Sequence, residues 1–309
     1  MVWVRLGSAF GYLGLFLFGL HFMSRNLHSA AGSGLERFLA RLTGSPWKGF
    51  LAGAAVTGAL QSSSLISVMV VGLVNARVMT LAQAIAVIIG ANVGTTVTAQ
   101  LLSFNIQHAA LPLIGAAVFL YLLPLSRLKP AAGALLGWGL VLLGLGGMAE
   151  SLAPLRNTPV MARLLAAAGE TPWQGIGAGI LTAAALQSSS GVMGLVLGMA
   201  LEGSISLTAA MAVLIGADLG TCTTALIASV GMNRTARAAA WSHFIFNLLS
   251  LVLAALFFPY MLRVTAFAAS SLTRRLANFH TLYNLLGALV ILPLAEPLAR
   301  LLQGRKEIL

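Results

Sequence analysis

The sequence predicts an all-α polytopic membrane protein made of two inverted-topology repeats, each with a re-entrant helical hairpin and a discontinuous transmembrane helix. Three observations predict it. Hydrophobic residues make up 59% of the 309 positions and charged residues 8%, against roughly 25% charged in soluble domains, and apolar stretches of membrane-spanning length recur throughout. Residues 46–99 align without a gap on residues 172–225, with about 24 identities in 54 positions. The polar string Gln61-Ser62-Ser63-Ser64 recurs 126 positions later as Gln187-Ser188-Ser189-Ser190, each copy inside an apolar segment. Unpaired polar groups in hydrocarbon cost several kcal/mol each, so these strings must be buried in protein or face water or a solute.

The same composition excludes other classes. The net charge of +11 comes from basic residues that lie between apolar stretches, as membrane topology requires, so no nucleic-acid partner is expected. The lone Cys222 excludes an intramolecular disulfide and a multi-cysteine metal site. No cofactor is expected.

The elements follow in order. The run 1–20 has the apolar core of a signal peptide but no clean small-x-small cleavage site, and the repeat favours a retained helix from about Gly7 to Leu27. Leu35, Phe38, Leu39 and Leu42 recur at helical spacing in a basic connector, which predicts a short helix on the membrane surface. Ser45-Pro46-Trp47 is an N-cap with proline in the first turn. The 15 residues from Pro46 to Leu60 make roughly 22 Å of helix, too short for a core about 30 Å thick. The arm from about Leu65 to Asn75 is shorter still, so a hairpin with the polar string at its tip is expected; one continuous helix over 46–75 is the alternative. Leu81–Ser103 is long enough to span, and Gly90 to Thr96 in its middle predicts a break. Leu111–Leu125 is the next span.

The pattern then restarts. Gly14–Leu20 lines up with Gly139–Leu145, the surface helix returns around Met161, Leu164 and Leu165, and Thr171-Pro172-Trp173-Gln174 repeats the start signal as a capping box. A span from about Ala238 to Met261, a basic amphipathic stretch with Arg263, Arg274 and Arg275, and a last span over about 276–298 complete the chain. The expected division is 1–132 for repeat one (hairpin about 46–75), 133–262 for repeat two (hairpin about 172–201), and 263–309 for the final helix and a cytoplasmic tail.

Three crossings separate the two repeat starts if the hairpin is re-entrant, and five if it spans. The number is odd, so the second copy is inserted upside down, with a solute site expected between the halves. One face receives 12 basic residues, including Arg25, Lys48, Arg77, Lys129, Arg234 and Arg237, and the other receives 6, including Arg5 and Arg274. The first face is expected to be cytoplasmic, with the N-terminus outside and the C-terminus inside a plasma membrane, the inner membrane of a bacterium.

Serine hydroxyls and glutamine amides offer donors and acceptors together. Helix N-termini favour anions, and unwound carbonyls favour small cations. Two such tips meeting suit an anion flanked by cations. Asp218 is the one acid at mid-depth in a span, hence a cation ligand or proton carrier by default; Asn92 is its counterpart in repeat one. His243 and Asn247, like His280 and Asn284, stand four apart on one helical face and either brace helices or touch solute. His21, His28 and His108 read as interfacial.

These residues carry a resemblance. The doubled Gln-Ser-Ser-Ser, each followed by Gly-Ala-Asn/Asp-x-Gly-Thr, and the later His-x-x-Phe/Tyr-Asn segments resemble the type II sodium-phosphate cotransporter family, in particular bacterial members without a C-terminal regulatory domain. The resemblance implies sodium-coupled symport of inorganic phosphate by alternating access, and no enzymatic activity. It implies phosphate binding by Gln61, Ser62, Ser63, Ser64, Gln187, Ser188, Ser189 and Ser190. Sodium would be held by Gln61, Ser64, Asn92, Thr95, Gln187, Ser190, Asp218 and Thr221, with His243, Asn247, His280 and Asn284 in support. The implied partners are phosphate, sodium and the bilayer; a homodimer is allowed. Asp218 stands where that family's pattern has asparagine, so another small anion, or coupling to protons, is the alternative. An intramembrane hydrolase using serine, His243 and Asp218 is a distant one, since no nucleophile turn is present.

Overall fold

The computed structural model describes residues 2–32, 34–35, 39, 45–104, 106–155 and 172–303, and every regular element among them is helical. In order these are α1 (Val2–Ala31), α2 (Pro46–Leu60), α3 (Ser63–Asn75), α4 (Leu81–Leu102), α5 (Ala110–Leu122), α6 (Lys129–Leu152), α7 (Pro172–Leu186), α8 (Ser189–Leu201), α9 (Leu207–Ala228), α10 (Arg234–Ala268), α11 (Leu272–Ile291) and α12 (Ala295–Gln303). Among the described residues, six stretches are long and apolar enough to cross a membrane: Trp3–Ala31, Leu81–Leu102, Ser126–Leu152, Leu207–Ala228, Arg234–Ala268 and Leu272–Gln303. Large apolar side chains such as Phe10, Phe119, Leu256 and Phe267 lie fully on the outside of the bundle, which suits lipid and not water. The chain is a multi-pass helical membrane protein.

Local chemistry sets the helix starts. Ser45 caps α2, accepting from Lys48 N with Pro46 in the first turn. Thr80 and Gln83 form a reciprocal capping box on α4. Ser206, Asn233 and Ser271 cap α9, α10 and α11 by accepting a backbone N–H three residues on. Phe38, Leu42, Met161, Leu164, Leu165 and Thr171 lie outside the described residues, so the surface helices and the second capping box do too; Leu35 and Leu39 are helical and buried.

Both hairpins form. α2 ends at Leu60 because Gln61 turns left-handed (φ 59°) and Ser62 is extended (φ −149°, ψ 94°), which rules out one continuous helix over 46–75. The break is only Gln61-Ser62: Ser63 and Ser64 already belong to the first turn of α3. Gln187 (φ 52°) and Ser188 (φ −155°, ψ 113°) repeat this geometry between α7 and α8.

The predicted discontinuity in α4 and α9 is absent. Both helices run unbroken for 22 residues through Gly90–Thr96 and Gly216–Cys222. Their glycines serve contact. A Cβ on Gly90 would strike the carbonyl of Phe50 in α2, and one on Gly216 would strike that of Ile176 in α7. Gly53 on α2 meets Val87, and Gly94 on α4 meets Ala54 and Gly58; in the second copy Gly179 meets Val213 and Ala217, and Gly220 meets Ile180, so small residues let two backbones touch. The contacts advance together along both chains, so α2 is parallel to α4, and α7 to α9.

Two further boundaries differ from expectation. The expected span over 111–125 is helical only from Ala110 to Leu122; this shorter α5 lies antiparallel along α6, with Gln107 beside Gly146 and Ile114 against Gly139, and so still carries the chain back to the start of α6. α10 continues to Ala268 instead of ending near Met261, which places Arg263 inside that helix and leaves no separate amphipathic segment before α11.

α1 and α6, the helices holding the aligned Gly14–Leu20 and Gly139–Leu145, pack against each other antiparallel. Gly147 meets Tyr12, Gly144 meets Phe16, Gly137 meets Met23 and Gly133 meets Asn26. The second arm of each hairpin reaches the other half: α3 packs on α9 and α10, and α8 packs on α4 as well as on α6 and α11. That exchange brings the two polar tips to one place.

Candidate functional site

The left-handed glutamine and extended serine turn the chain by reversing only two residues, so the first N–H groups of α3 and α8 point at the tip. Ser62 Oγ accepts from Leu65 N and Ser188 Oγ accepts from Gly191 N at 3.0 Å, each capping its own helix. The N–H groups of Ser63, Ser64, Ser189 and Ser190, in the first turns of α3 and α8, have no helical carbonyl within reach. The tips touch: Ser64 Oγ donates to the carbonyl of Gln187 at 3.3 Å.

Between them is a cavity of about 370 Å³ lined by all eight residues of the two strings, with Leu17, Leu20, His21 and Ser24 of α1 and Leu186 of α7. All eight residues expected to bind substrate are therefore brought together. Ser63 and Ser189 are buried, and Gln187 is exposed into the opening. Gln61 is held on both ends of its amide. Thr98 Oγ1 on α4 donates to its Oε1 at 2.7 Å, and its Nε2 donates to the carbonyl of Gly58.

The other expected sodium ligands lie outside this lining. Thr95 Oγ1 donates to Ala91 O at 3.0 Å and Thr221 Oγ1 to Ala217 O at 2.8 Å, one turn back on their own helices. Asn92 and Asp218 instead anchor two matching polar clusters. On the first, Asn92 Oδ1 accepts from His243 Nε2 at 3.2 Å, and Asn92 Nδ2 donates to Asn247 Oδ1 at 2.8 Å. Asn247 Nδ2 in turn donates to Cys222 Sγ. On the second, Asp218 Oδ2 accepts from His280 Nε2 at 3.1 Å, from Asn284 Nδ2 at 3.0 Å and from the Tyr283 hydroxyl. Each His-x-x-x-Asn pair thus braces a helix against its neighbour, α10 against α4 and α11 against α9. Both histidines present Nε2 to these amide and carboxylate oxygens and not to a serine, so the serine, His243 and Asp218 do not form a triad.

Three residues escaped the sequence reading. His21 and Ser24 belong to the cavity wall, and Tyr283 completes the Asp218 cluster. The signal for Tyr283 was present, since it occupies the place of Phe246 in the repeated His-x-x-Phe/Tyr-Asn segment. His21 stands in no motif.

A helical membrane protein whose two polar hairpin tips enclose a solute-sized cavity is built as a transporter. The chain belongs to the Na+/Pi-cotransporter family, whose pattern it matches over residues 15–150 and 152–291. It is 32% identical over 290 residues to uncharacterized protein YqeW of Bacillus subtilis, covering 93% of this chain and 94% of that one. It is 27% identical over 291 residues to the putative inorganic phosphate export protein YjbB of Escherichia coli K12, covering 93% of this chain and 53% of that protein, so the chain spans about half its length. The corresponding export protein of Salmonella typhimurium is 26% identical over the same share. No solved structure matches.

Proposed function

We propose that this protein is a secondary active transporter that moves inorganic phosphate together with sodium by alternating access. The observation that carries the reading is the single cavity walled by both Gln-Ser-Ser-Ser tips. Two helix N-termini and a set of hydroxyl and amide donors converge there, which is the chemistry that accepts a small oxyanion in place of water. In this reading Gln61, Ser62, Ser63, Ser64, Gln187, Ser188, Ser189 and Ser190 hold phosphate. The same tips share oxygens with sodium through Gln61, Ser64, Gln187 and Ser190, and Asn92, Thr95, Asp218 and Thr221 offer the rest. The named relatives that concern phosphate are export proteins, and a coupled carrier runs in whichever direction the combined gradients set.

The test is phosphate uptake by purified protein in liposomes. Uptake is expected only with an imposed sodium gradient, and equal uptake in potassium removes sodium coupling. Ser63→Ala and Ser189→Ala are each expected to slow uptake at least about tenfold, the loss of one charge-assisted hydrogen bond, with unchanged abundance in the membrane. Full transport by both variants removes the site assignment.

A further inference from the structure

The cavity between the tips has a wall that the two repeats do not share. α1 contributes Leu17, Leu20, His21 and Ser24 to it. When Gly14–Leu20 is aligned on Gly139–Leu145, the second repeat carries Gly146 in place of His21 and Ala149 in place of Ser24. The polar part of this wall therefore comes from one half of the protein only. His21 is also the one ionisable side chain in the lining; every other polar group there is a neutral hydroxyl or amide.

The charged and titratable groups on the surrounding elements stand elsewhere. α2 carries Lys48 in its first turn, and α6 carries Lys129 and Glu150 at its two ends. α3, α7 and α8 carry none. On α1 itself, Arg5, Tyr12, Arg25 and His28 lie outside the lining.

An oxyanion that enters a neutral cavity gives up hydration that hydroxyl donors replace in part. A charged donor makes a hydrogen bond roughly twice as strong, and a protonated imidazole donates from both nitrogens. We propose that His21 is a substrate-binding residue, whose protonated imidazole supplies the one positive side chain of the cavity and raises its affinity for a small oxyanion as pH falls. The proposal rests on the phosphate reading above. Protonation strengthens attraction to the anion at the cavity wall, so the change falls mainly on binding: KM moves more than kcat.

The experiment measures sodium-driven phosphate uptake in liposomes for wild type, His21→Gln and His21→Lys, at about pH 6 and about pH 8. Phosphate itself loses a proton across this range, so the readout is the ratio of KM between variants at each pH. At the lower pH the KM of His21→Gln is expected to be about tenfold above wild type, the value of one charge-assisted hydrogen bond, and the two should converge at the higher pH. His21→Lys should keep a low KM at both. Equal KM for wild type and His21→Gln at the lower pH overturns the assignment, as does a His21→Lys that behaves like His21→Gln. The same variants are melted in detergent with and without inorganic phosphate. If wild type moves no phosphate yet phosphate stabilises it more than His21→Gln at the lower pH, His21 stands and the transport reading falls. If phosphate stabilises neither, both fall.

Discussion

At position 283 the second polar cluster carries tyrosine where the first carries Phe246, and the exchange is tied to a second one. Asn92 and Asp218 are equivalent, and so are His243 and His280, and Asn247 and Asn284. Asp218 has lost the amide that Asn92 donates to Asn247 and gained acceptor capacity, and Tyr283 adds a hydroxyl aimed at that carboxylate. Tyr283 is 2% exposed, so an acceptor left without it has no water to turn to. Tyr283→Phe is expected to destabilise the protein by about 1–3 kcal/mol, the loss for a buried acceptor stripped of a partner. In an Asp218→Asn background the same change recreates the chemistry of the first cluster and should cost about 1 kcal/mol less. Melting the four proteins of this cycle in detergent measures the coupling; strictly additive losses would show that tyrosine and aspartate are independent.

The hairpin is the element in which stability and function separate most cleanly. Gln61 and Gln187 sit at φ 59° and 52°, a region that costs a non-glycine residue about 1–2 kcal/mol. Glycine adopts it freely, so Gln61→Gly and Gln187→Gly should melt within a few degrees of wild type while losing most transport; variants that unfold would show that the glutamines hold the tip together. The ends of α2 were legible because a serine cap, a proline and a polar string punctuate an apolar run that is too short to span. The continuity of α4 and α9 was not, because Gly-x-x-x-Gly reads equally as a break or as a contact face, and only a neighbouring helix decides. The contact face makes its own prediction. Gly90→Ala and Gly216→Ala force a methyl into a backbone carbonyl and should cost about 1–3 kcal/mol or more. Gly72→Ala and Gly177→Ala point into open space and should gain up to about 1 kcal/mol from helix propensity. Equal melting shifts in all four would remove the close-packing account. His21 was illegible for a related reason: a single histidine in an apolar helix has no pattern, and its place in the cavity wall follows from how α1 packs, which no local spacing encodes.

Across the whole molecule, basic residues gather near both ends of α4. Asn233 N and Nδ2 both donate to Asn75 at 3.0 Å, which sets Arg77, after α3, beside Arg234 and Arg237 at the start of α10. Arg300 lies with Pro46 and Trp47 around one crevice. At the opposite end of α4, Arg274 Nη1 donates to Ser103 Oγ at 2.9 Å, and its guanidinium lies 4.4 Å from the Phe104 ring. α1 lies antiparallel on α6, and an inverted insertion of the two copies is open to test. Phe104 and Val230 give the sharpest check, because they are equivalent positions 126 apart and both are exposed, at 57% and 78%. With Cys222 changed to serine, Phe104→Cys should react with a membrane-impermeant maleimide on intact cells. Val230→Cys should react only after the membrane is opened if, as the excess of basic residues near its end of α9 and α10 predicts, that end faces the cytoplasm. Labelling of both from one side would mean that the two halves are inserted in the same sense, and with that the two hairpins could not reach their shared cavity from opposite faces of the membrane.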